Sequence, residues 1–260
     1  MDELLSKFTL KTEQRDEPSA LIRDNFVIDV ALTVPCNHKV LDVGAGMKPY
    51  KPLFSHCIYT SHDFINNKDV IDSTRCETTE TPKQHDIYSD ILSIPVEDNS
   101  YDLILCTEVF EHVPEPIRAM KELVRICKPG GKILITAPFT SGIHQEPYHF
   151  YAGFSPYFYD YLKNLYNLKI IQFKNQGNFF LLQHQEIARL MKYKHNSIQH
   201  NPKLRNAYDS IVSFMQSYAL FLNEEVKDDL MLYDTPDKML DTLRDFNKFS
   251  FGYCVLFEKQ

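Results

Sequence analysis

The segment that most constrains the fold is an apolar run that ends in two closely spaced glycines. Residues Val40 to Tyr50 read VLDVGAGMKPY, so a short buried strand, Lys39 to Val43, runs into the turn Gly44-Ala45-Gly46. Glycine adopts backbone conformations that are costly for other residues, and it lets a ligand approach the main chain. The chain has only 8 glycines in 260 residues, so the pair is informative. The run predicts a strand, a tight turn and a ligand at the turn.

Two kinds of ligand compete for a turn of this type. A dinucleotide site needs the pattern G-x-G-x-x-G, whose third glycine allows close helix packing beside the pyrophosphate. The third position is Pro49 here, and the carboxylate of Asp42 directly before the turn would repel a pyrophosphate. The turn therefore favours a ligand that carries a cation.

Strand patterns and helix patterns alternate along the chain. We predict helices at Ser19–Val34, from Glu115-Pro116 to Cys127 and from Ser155-Pro156 to Tyr166, and strands at Lys39–Val43, Cys57–Thr60, Asp86–Tyr88, Tyr101–Cys106, Lys132–Ala137, Leu168–Phe173 and Phe249–Phe257. Such alternation requires crossover connections and produces a mainly parallel sheet. The fold class is therefore α/β, with helices on both faces of the sheet.

The same pattern divides the chain into segments. We predict an N-terminal helical segment (1–38), a core (39–175 and 248–260) and a helical insertion or lid (176–247). Ile211 to Leu222 carries the clearest helical pattern of the insertion. Because the final strand has to return to the sheet, the insertion is not a separate domain.

Charge and cysteine content disfavour several classes of protein. The 28 basic and 35 acidic residues give a net charge of −7, which disfavours non-specific binding to nucleic acid or to an anionic membrane. The six cysteines form no CxxC pair and have no zinc-type spacing. The charged N-terminus is unlike a signal peptide, and no apolar run approaches the roughly 18 residues of a membrane helix. We expect a cytoplasmic protein without a nucleic-acid partner or a membrane span.

Carboxylates also follow the next two strands. Asp63 comes after the second strand, where it could accept both ribose hydroxyls, and Asp90-Ile91 follow the third strand, where they could hold a purine. The runs SYDLILCTEVFEHVPEP and KPGGKILITAPF come next. With them, the stretch from Val40 to Phe139 closely resembles the class I S-adenosylmethionine-dependent methyltransferases, especially their broad small-molecule group. The core of that family is a Rossmann-like seven-stranded sheet whose last strand is antiparallel.

The resemblance implies S-adenosyl-L-methionine as the cofactor and assigns residues to it. Gly44, Ala45 and Gly46 would line its methionine part, and Asp42 would help to hold its amino group. Asp63 would bind ribose, and Asp90 and Ile91 would hold adenine. Thr107 and Glu108 would border the methionine moiety and the sulfonium. The sequence departs from the family at Pro49-Tyr50, where many relatives have another glycine. We expect this departure to change how the next helix packs.

Three histidines are candidate catalytic bases. His112 follows the fourth strand, and His144 and His149 follow the fifth, at the strand ends where open α/β sheets bind ligands. His149 is preferred, because the matching segment of the relatives lies near the acceptor; a loop histidine bonded to backbone is the alternative. A metal site made of His144, Glu146 and His149 is conceivable, but its spacing matches no standard set. No metal site is predicted.

Aromatic residues are dense after the fifth strand. Eight of the fourteen residues from Tyr148 to Tyr161 are Phe or Tyr. Tyr148, Tyr151 and Phe154 are candidates for a wall against a sugar ring or a planar acceptor, although aromatic side chains also pack cores. We expect a methyltransferase that acts on a small-molecule or saccharide acceptor, at oxygen. N-methylation, base-free methylation of a phosphorylated or carboxylate acceptor, and a non-catalytic binding protein are the alternatives.

Overall fold

Helices and strands alternate in the computed structural model, which describes residues 18–64, 84–179, 181–183, 185–186, 201–225, 232–233 and 250–260. The helices are α1 (Pro18–Leu32), α2 (Pro116–Ile126), α3 (Pro156–Leu165) and α4 (Pro202–Glu225). The strands are β1 (Lys39–Val43), β2 (Ile58–Asp63), β3 (Ile87–Tyr88), β4 (Tyr101–Thr107), β5 (Cys127–Pro138), β6 (Leu168–Asn175), β7 (Leu232–Tyr233) and β8 (Gly252–Lys259). Two short 3₁₀ turns lie at Lys51–Phe54 and Phe110–His112.

The strands form one mixed sheet in the order β3-β2-β1-β4-β5-β8-β6-β7. Strands β1 to β5 pair in parallel, whereas β8 lies antiparallel between β5 and β6. The predicted α/β fold with an antiparallel last strand is confirmed. The two-residue strand β7, which pairs with β6 at the sheet edge, was not predicted. The strand order reverses direction between β1 and β4, and ligands of open α/β sheets bind at such a switch point.

Side chains of the central strands alternate between two apolar layers. Ile104 and Ile135 face the layer that is covered by α2 and α3. Leu105 and Leu134 face the layer that is covered by α1 and by the 3₁₀ turn after β1. All four are fully buried, and burying one such side chain contributes about 1.5–3 kcal/mol. The strand ends that carry the candidate site are therefore held by core on both faces of the sheet.

Strands β2 and β3 begin one residue later than predicted, and β5 and β8 begin several residues away from the predicted positions. Strand β5 already starts at Cys127, which pairs with Tyr101 before the register shifts. The shift is possible because Gly130 has φ +73° and a Cβ at Gly131 would lie 2.8 Å from the Sγ of Cys127. Strand β8 starts only at Gly252, and Phe251 packs instead against Leu181 and Leu182. Phe249 lies outside the described residues.

The link between β1 and β2 is a 3₁₀ turn in place of an α-helix over the described residues 44–57. The described link contains no α-helix whose packing Pro49-Tyr50 could change, and α1 covers this face of the sheet. The side chain of Ser19 does not cap α1, which begins at Pro18; its Oγ donates to Oε1 of Gln185 at 3.0 Å. Helix α4 includes the predicted Ile211–Leu222 helix, and the division into segments stays a prediction.

None of the described helices combines the length and the apolar character that a membrane crossing needs.

Candidate active site

The two glycines after β1 form a turn with a partly exposed main chain. Gly44 and Gly46 have φ values of +66° and +50°, which side-chain-bearing residues rarely adopt. A Cβ at Gly44 would lie 2.5 Å from Cγ2 of Val109, so this glycine lets the turn lie directly against the segment after β4. A Cβ at Gly46 would meet nothing within 4 Å. The turn is thus closed on the side of Gly44 and open on the side of Gly46.

Asp63 lies at the end of β2 and is held by the main chain. The amide of Gly46 donates to its Oδ2 at 3.0 Å, and the amide of Phe64 donates to its Oδ1 at 2.8 Å. Nε2 of the buried His85 lies 3.5 Å from Oδ2, and burial lowers the pKa of this imidazole. The carboxylate side chain keeps 20% of its surface exposed. It is therefore fixed in place but still accessible to a ligand.

Asp42 is a buried carboxylate at the end of β1. Its Oδ2 accepts a hydrogen bond of 2.5 Å from the hydroxyl of Tyr59. Burial raises the pKa of Asp42 to about 7, although the bond from Tyr59 lowers it; the negative charge of Asp63 adds to the rise. A carboxylate with a raised pKa beside a second carboxylate favours a cationic ligand, because a positive charge would stabilise the ionised form.

Glu108 directly follows β4 and adds a third carboxylate to those at the ends of β1 and β2. Its backbone adopts a left-handed conformation with φ +54°. Its Oε1 accepts a hydrogen bond of 2.7 Å from the hydroxyl of Thr136, and its Oε2 lies 3.4 Å from a guanidinium nitrogen of Arg23. Thr107, the last residue of β4, is half-buried beside it.

Arg23 is a residue of the site that sequence reasoning missed. It lies on α1, and its Nε–H donates to the hydroxyl of Tyr50 at 3.2 Å. That hydroxyl donates in turn to Oδ1 of the buried Asp24 at 2.7 Å. The signal was present in the sequence, because Arg23 lies four residues before Val27 and so shares the apolar stripe of α1. A charged residue in such a stripe needs partners, and here these include Tyr50, Asp24 and Glu108.

The remaining predicted cofactor residues lie around the same strand ends. Ala45 is buried, and its amide donates to the carbonyl of His62 at 2.9 Å. Asp90 is exposed, and its Oδ1 accepts a hydrogen bond of 2.9 Å from the amide of Leu92. Ile91 is buried in the layer under α2 and α3. The fold thus brings the predicted cofactor residues to the carboxyl ends of β1 to β4.

The three candidate histidines lie together at the ends of β4 and β5. The ring centroid of His144 lies 4.9 Å from that of His112 and 4.6 Å from that of His149. His112 Nδ1 lies 2.6 Å from the carbonyl oxygen of Tyr148, and His144 Nδ1 lies 2.9 Å from that of Gly142. A carbonyl oxygen only accepts, so both Nδ1 atoms carry the proton. In the neutral rings, the lone pair is then on Nε2.

His149 has the opposite tautomer. Its Nε2 lies 3.1 Å from the hydroxyl oxygen of Ser141, and that hydroxyl donates to the carbonyl of Ala152 at 3.0 Å. Because the hydroxyl proton is directed to Ala152, Nε2 of His149 has to donate and the lone pair is on Nδ1. Burial, and then the positive charge that His144 can carry, lower the pKa of His149.

The aromatic segment divides into exposed and buried side chains. Tyr148 and Tyr151 are 38% and 36% exposed, and the hydroxyl of Tyr151 donates to the carbonyl of Pro114 at 2.9 Å. Phe154 is buried, and its ring lies edge-on to that of Phe110 at 6.3 Å. Of the three predicted wall residues, the two tyrosines are accessible, whereas Phe154 packs in the core behind Tyr151.

The comparison with protein families matches residues 41–135 to a methyltransferase domain. The match covers the glycine turn, the carboxylates at the ends of β1 and β2 and after β3, and His112. Residues 41–135 therefore carry a methyltransferase domain of the class I S-adenosylmethionine-dependent type.

The names of the relatives of the methyltransferase domain indicate that they act on different molecules. A demethylmenaquinone methyltransferase of Staphylococcus haemolyticus is 30% identical over 128 residues, which are 46% of this chain and 53% of that protein. The chloroplastic tocopherol O-methyltransferase of Arabidopsis thaliana is 30% identical over 102 residues, 37% of this chain and 29% of that protein. The chain thus spans about half the length of these relatives, or less.

The fold of the methyltransferase domain also occurs in a solved structure. A Bacillus halodurans protein that carries a provisional methyltransferase name has a TM-score of 0.50 and 10% identity, over 90% of this chain and 97% of that one. This similarity concerns the fold alone.

The cofactor of the methyltransferase domain is S-adenosyl-L-methionine. The site fits this molecule, which carries a sulfonium and an ammonium cation. The carboxylate of Asp63 is bonded to the amide of Gly46. Asp42, whose pKa burial raises to about 7, lies at the end of β1, and Glu108 follows β4, the strand beside it. Cations at this place would lower the electrostatic cost of keeping the carboxylates ionised.

Proposed function

We propose that the protein transfers the methyl group of S-adenosyl-L-methionine to an oxygen of a small-molecule or saccharide acceptor. The observation that carries the proposal is the contact between Nε2 of His149 and the hydroxyl of Ser141, from which we infer the tautomer of this histidine. Its Nε2–H is engaged with Ser141, so the lone pair of Nδ1 is available to accept a proton. A hydroxyl acceptor has a proton to lose, whereas an anionic acceptor has none. The Arabidopsis relative, whose name states transfer at oxygen, supports the same choice.

The cofactor contacts in this proposal follow the strand ends. Asp42 stabilises the ammonium group, Asp63 accepts the ribose hydroxyls, and Glu108 borders the sulfonium. Gly44, Ala45 and Gly46 line the methionine part, Asp90 and Ile91 hold adenine, and Thr107 lies beside the methionine moiety. The fixed position of Asp63 supports its role, because an acceptor that is already oriented loses little entropy on binding.

The acceptor would bind at the mouth formed by the segment after β5. The exposed rings of Tyr148 and Tyr151 provide an apolar wall. The amides of Phe150 and Tyr151 both donate to the carbonyl of Glu111, at 2.9 Å and 3.2 Å, and so dock this segment on the turn after β4. The histidines and the tyrosines are therefore held in one frame, which supports catalysis by positioning.

S-adenosyl-L-methionine supplies an electrophilic methyl carbon when it is bound. In the transfer, an acceptor oxygen lone pair forms the new C–O bond, the C–S bond breaks, and its electron pair stays on sulfur. The acceptor proton moves to Nδ1 of His149. His112 and His144 border this position through their rings.

N-methylation and methylation of an anionic group remain the alternative reactions, and a non-catalytic binding protein is the alternative class. The test screens phenols, alcohols, amines, carboxylates and phosphate esters for formation of S-adenosylhomocysteine, first with the wild-type chain. The variant His149→Gln should then lower the turnover of a hydroxyl acceptor by about 10²- to 10⁴-fold.

Calorimetric titration with S-adenosyl-L-methionine is the companion measurement. The His149→Gln variant should keep the wild-type affinity, since the proposal places His149 on the acceptor and not among the cofactor contacts. Equal turnover by wild type and variant would contradict the role of His149. A wild-type chain that does not bind the cofactor would leave the binding-protein alternative.

A further inference from the structure

A carboxylate and two imidazoles converge at the turn after β4. Glu111, His112 and His144 each offer one ligand atom, and these atoms lie within 4.8 Å of one another. Oε1 of Glu111 lies 3.7 Å from Nε2 of His112. Glu111 is only 1% exposed, whereas both histidines are partly exposed. The group shares only His144 with the set weighed from sequence, because Glu111 and His112 take the places of Glu146 and His149.

The two imidazoles are oriented as they are in metal sites. Metal-binding histidines usually donate their second ring N–H to a carbonyl or carboxylate, which fixes the tautomer and the ring orientation. His112 and His144 donate from Nδ1 to the carbonyls of Tyr148 and Gly142. Both neutral rings therefore have the lone pair on Nε2, and Nε2 of His112 lies on the side of Glu111.

We propose that Glu111, His112 and His144 bind one divalent transition-metal ion. Two imidazole nitrogens and one carboxylate oxygen suit Zn²⁺, Mn²⁺, Fe²⁺ or Co²⁺ better than Ca²⁺ or Mg²⁺, which prefer all-oxygen sites. With bonds of about 2.0–2.2 Å, ligand atoms lie about 3.3–3.6 Å apart in a tetrahedral site. The observed group needs only a small contraction, which the half-buried ring of His144 can provide.

A cation here would also offset the burial of a carboxylate. Removing an ionised carboxyl group from water is costly unless a positive charge or hydrogen bonds compensate. Glu111 is 1% exposed, and a divalent ion beside it would add a favourable positive charge.

The role of the ion rests on the proposed function. Three protein ligands leave coordination positions open, and an acceptor hydroxyl bound there would lose its proton more readily. The ion would orient the acceptor oxygen, and His149, whose ring centroid lies 4.6 Å from that of His144, would take the proton. The acceptor class would then be a hydroxyl compound that coordinates metal, such as a phenol or a vicinal diol.

The experiment measures metal binding by the full chain without any acceptor. Chelator-treated protein is dialysed against Zn²⁺, and the bound metal is counted by atomic spectroscopy; Co²⁺ is added in parallel and its visible absorption is recorded. We expect one ion per chain and a Co²⁺ spectrum with nitrogen and oxygen ligands. The variant His144→Ala should bind at least about 10-fold more weakly. It should still fold, since His144 lies in a loop on the surface.

A matched control and a second variant sharpen the result. His38→Ala, at the opposite end of β1, should bind like wild type. Glu111→Gln should lose the metal. Its metal content is interpreted only if its circular dichroism spectrum matches that of wild type. Absence of stoichiometric metal, or equal binding by His144→Ala and His38→Ala, would overturn the proposal.

Cofactor binding separates this proposal from the proposed function. The chelator-treated chain should bind S-adenosyl-L-methionine with unchanged affinity, because the two sites use different residues. Turnover by the chelator-treated chain at the rate of the metal-loaded chain would overturn the proposed role of the ion and leave the methyltransferase function intact. Metal binding without cofactor binding would contradict the proposed function and support the metal site.

Discussion

The backbone amide of Gly46 donates to Oδ2 of Asp63 at 3.0 Å. This bond joins the turn after β1 to the end of β2, and it fixes the position of a carboxylate that is still partly exposed. Gly46 reaches this position through its left-handed backbone. The cofactor turn and the proposed ribose acceptor are therefore one structural unit in the free protein.

Asp63→Ala should weaken the binding of S-adenosyl-L-methionine by about 10- to 100-fold, since hydrogen bonds to a charged group contribute about 1.5–3 kcal/mol. The fold should persist, because the side chain is partly exposed. Calorimetric titration measures the affinity, and Asp98→Ala, an exposed carboxylate remote from the turn, serves as the control. Unchanged affinity in Asp63→Ala would remove this residue from the ribose site.

Cofactor affinity should depend on the ionisation of Asp42. Burial raises the pKa of this group to about 7 in the free protein. Below that pH the carboxyl holds a proton, which a cationic ligand has to displace. Affinity should therefore rise with pH between about 5.5 and about 7, where an α-amino group stays protonated, by at most about tenfold per pH unit.

The variant Asp42→Asn tests this assignment by calorimetry over the same pH range. Its affinity should be lower than that of wild type at the upper end of the range and should no longer rise with pH. A slope equal to that of wild type would assign the titration to another group.

Gly44→Ala should destabilise the protein more than Gly46→Ala does. Both substitutions place a side chain at positive φ, which costs about 1–2 kcal/mol, but the new Cβ at Gly44 would also lie 2.5 Å from Val109. The double variant Gly44→Ala/Val109→Ala should recover part of the loss, because the clash is removed while the backbone strain stays. Chemical denaturation measures the three free energies of unfolding. An equal loss for Gly44→Ala with and without Val109→Ala would show that the clash is relieved elsewhere.

Arg23→Gln should lower the midpoint of thermal unfolding. The guanidinium contacts Tyr50 and lies near Glu108, and removing a partner from a mostly buried polar group costs about 1–3 kcal/mol. The control is Arg118→Gln, which breaks an exposed ion pair with Glu115 and should leave the midpoint unchanged. Equal midpoints for the two variants would mean that the contacts of Arg23 add nothing to stability.

Much of the fold was accessible from local patterns. The strand Lys39–Val43 was predicted with its observed bounds, and α3 agrees to within about a residue at each end. These elements have a clear apolar run and a proline or glycine at the boundary. The first residues of β5 and β8 could not be predicted from local patterns, because the pairing partner decides where a strand starts. Cys127 belongs to β5 only because Tyr101 lies beside it.

The sequence by itself determined which strand ends carry carboxylates and histidines, because residue type and order along an alternating β/α pattern place them at one edge of a parallel sheet. Only the tertiary structure decided which of these groups meet. It brought Arg23 of α1 to Glu108, and it brought Glu111 and His112 to His144 across the sheet end. The physical reason is that such contacts join segments far apart in the chain, and their geometry depends on how helices and loops pack on the sheet.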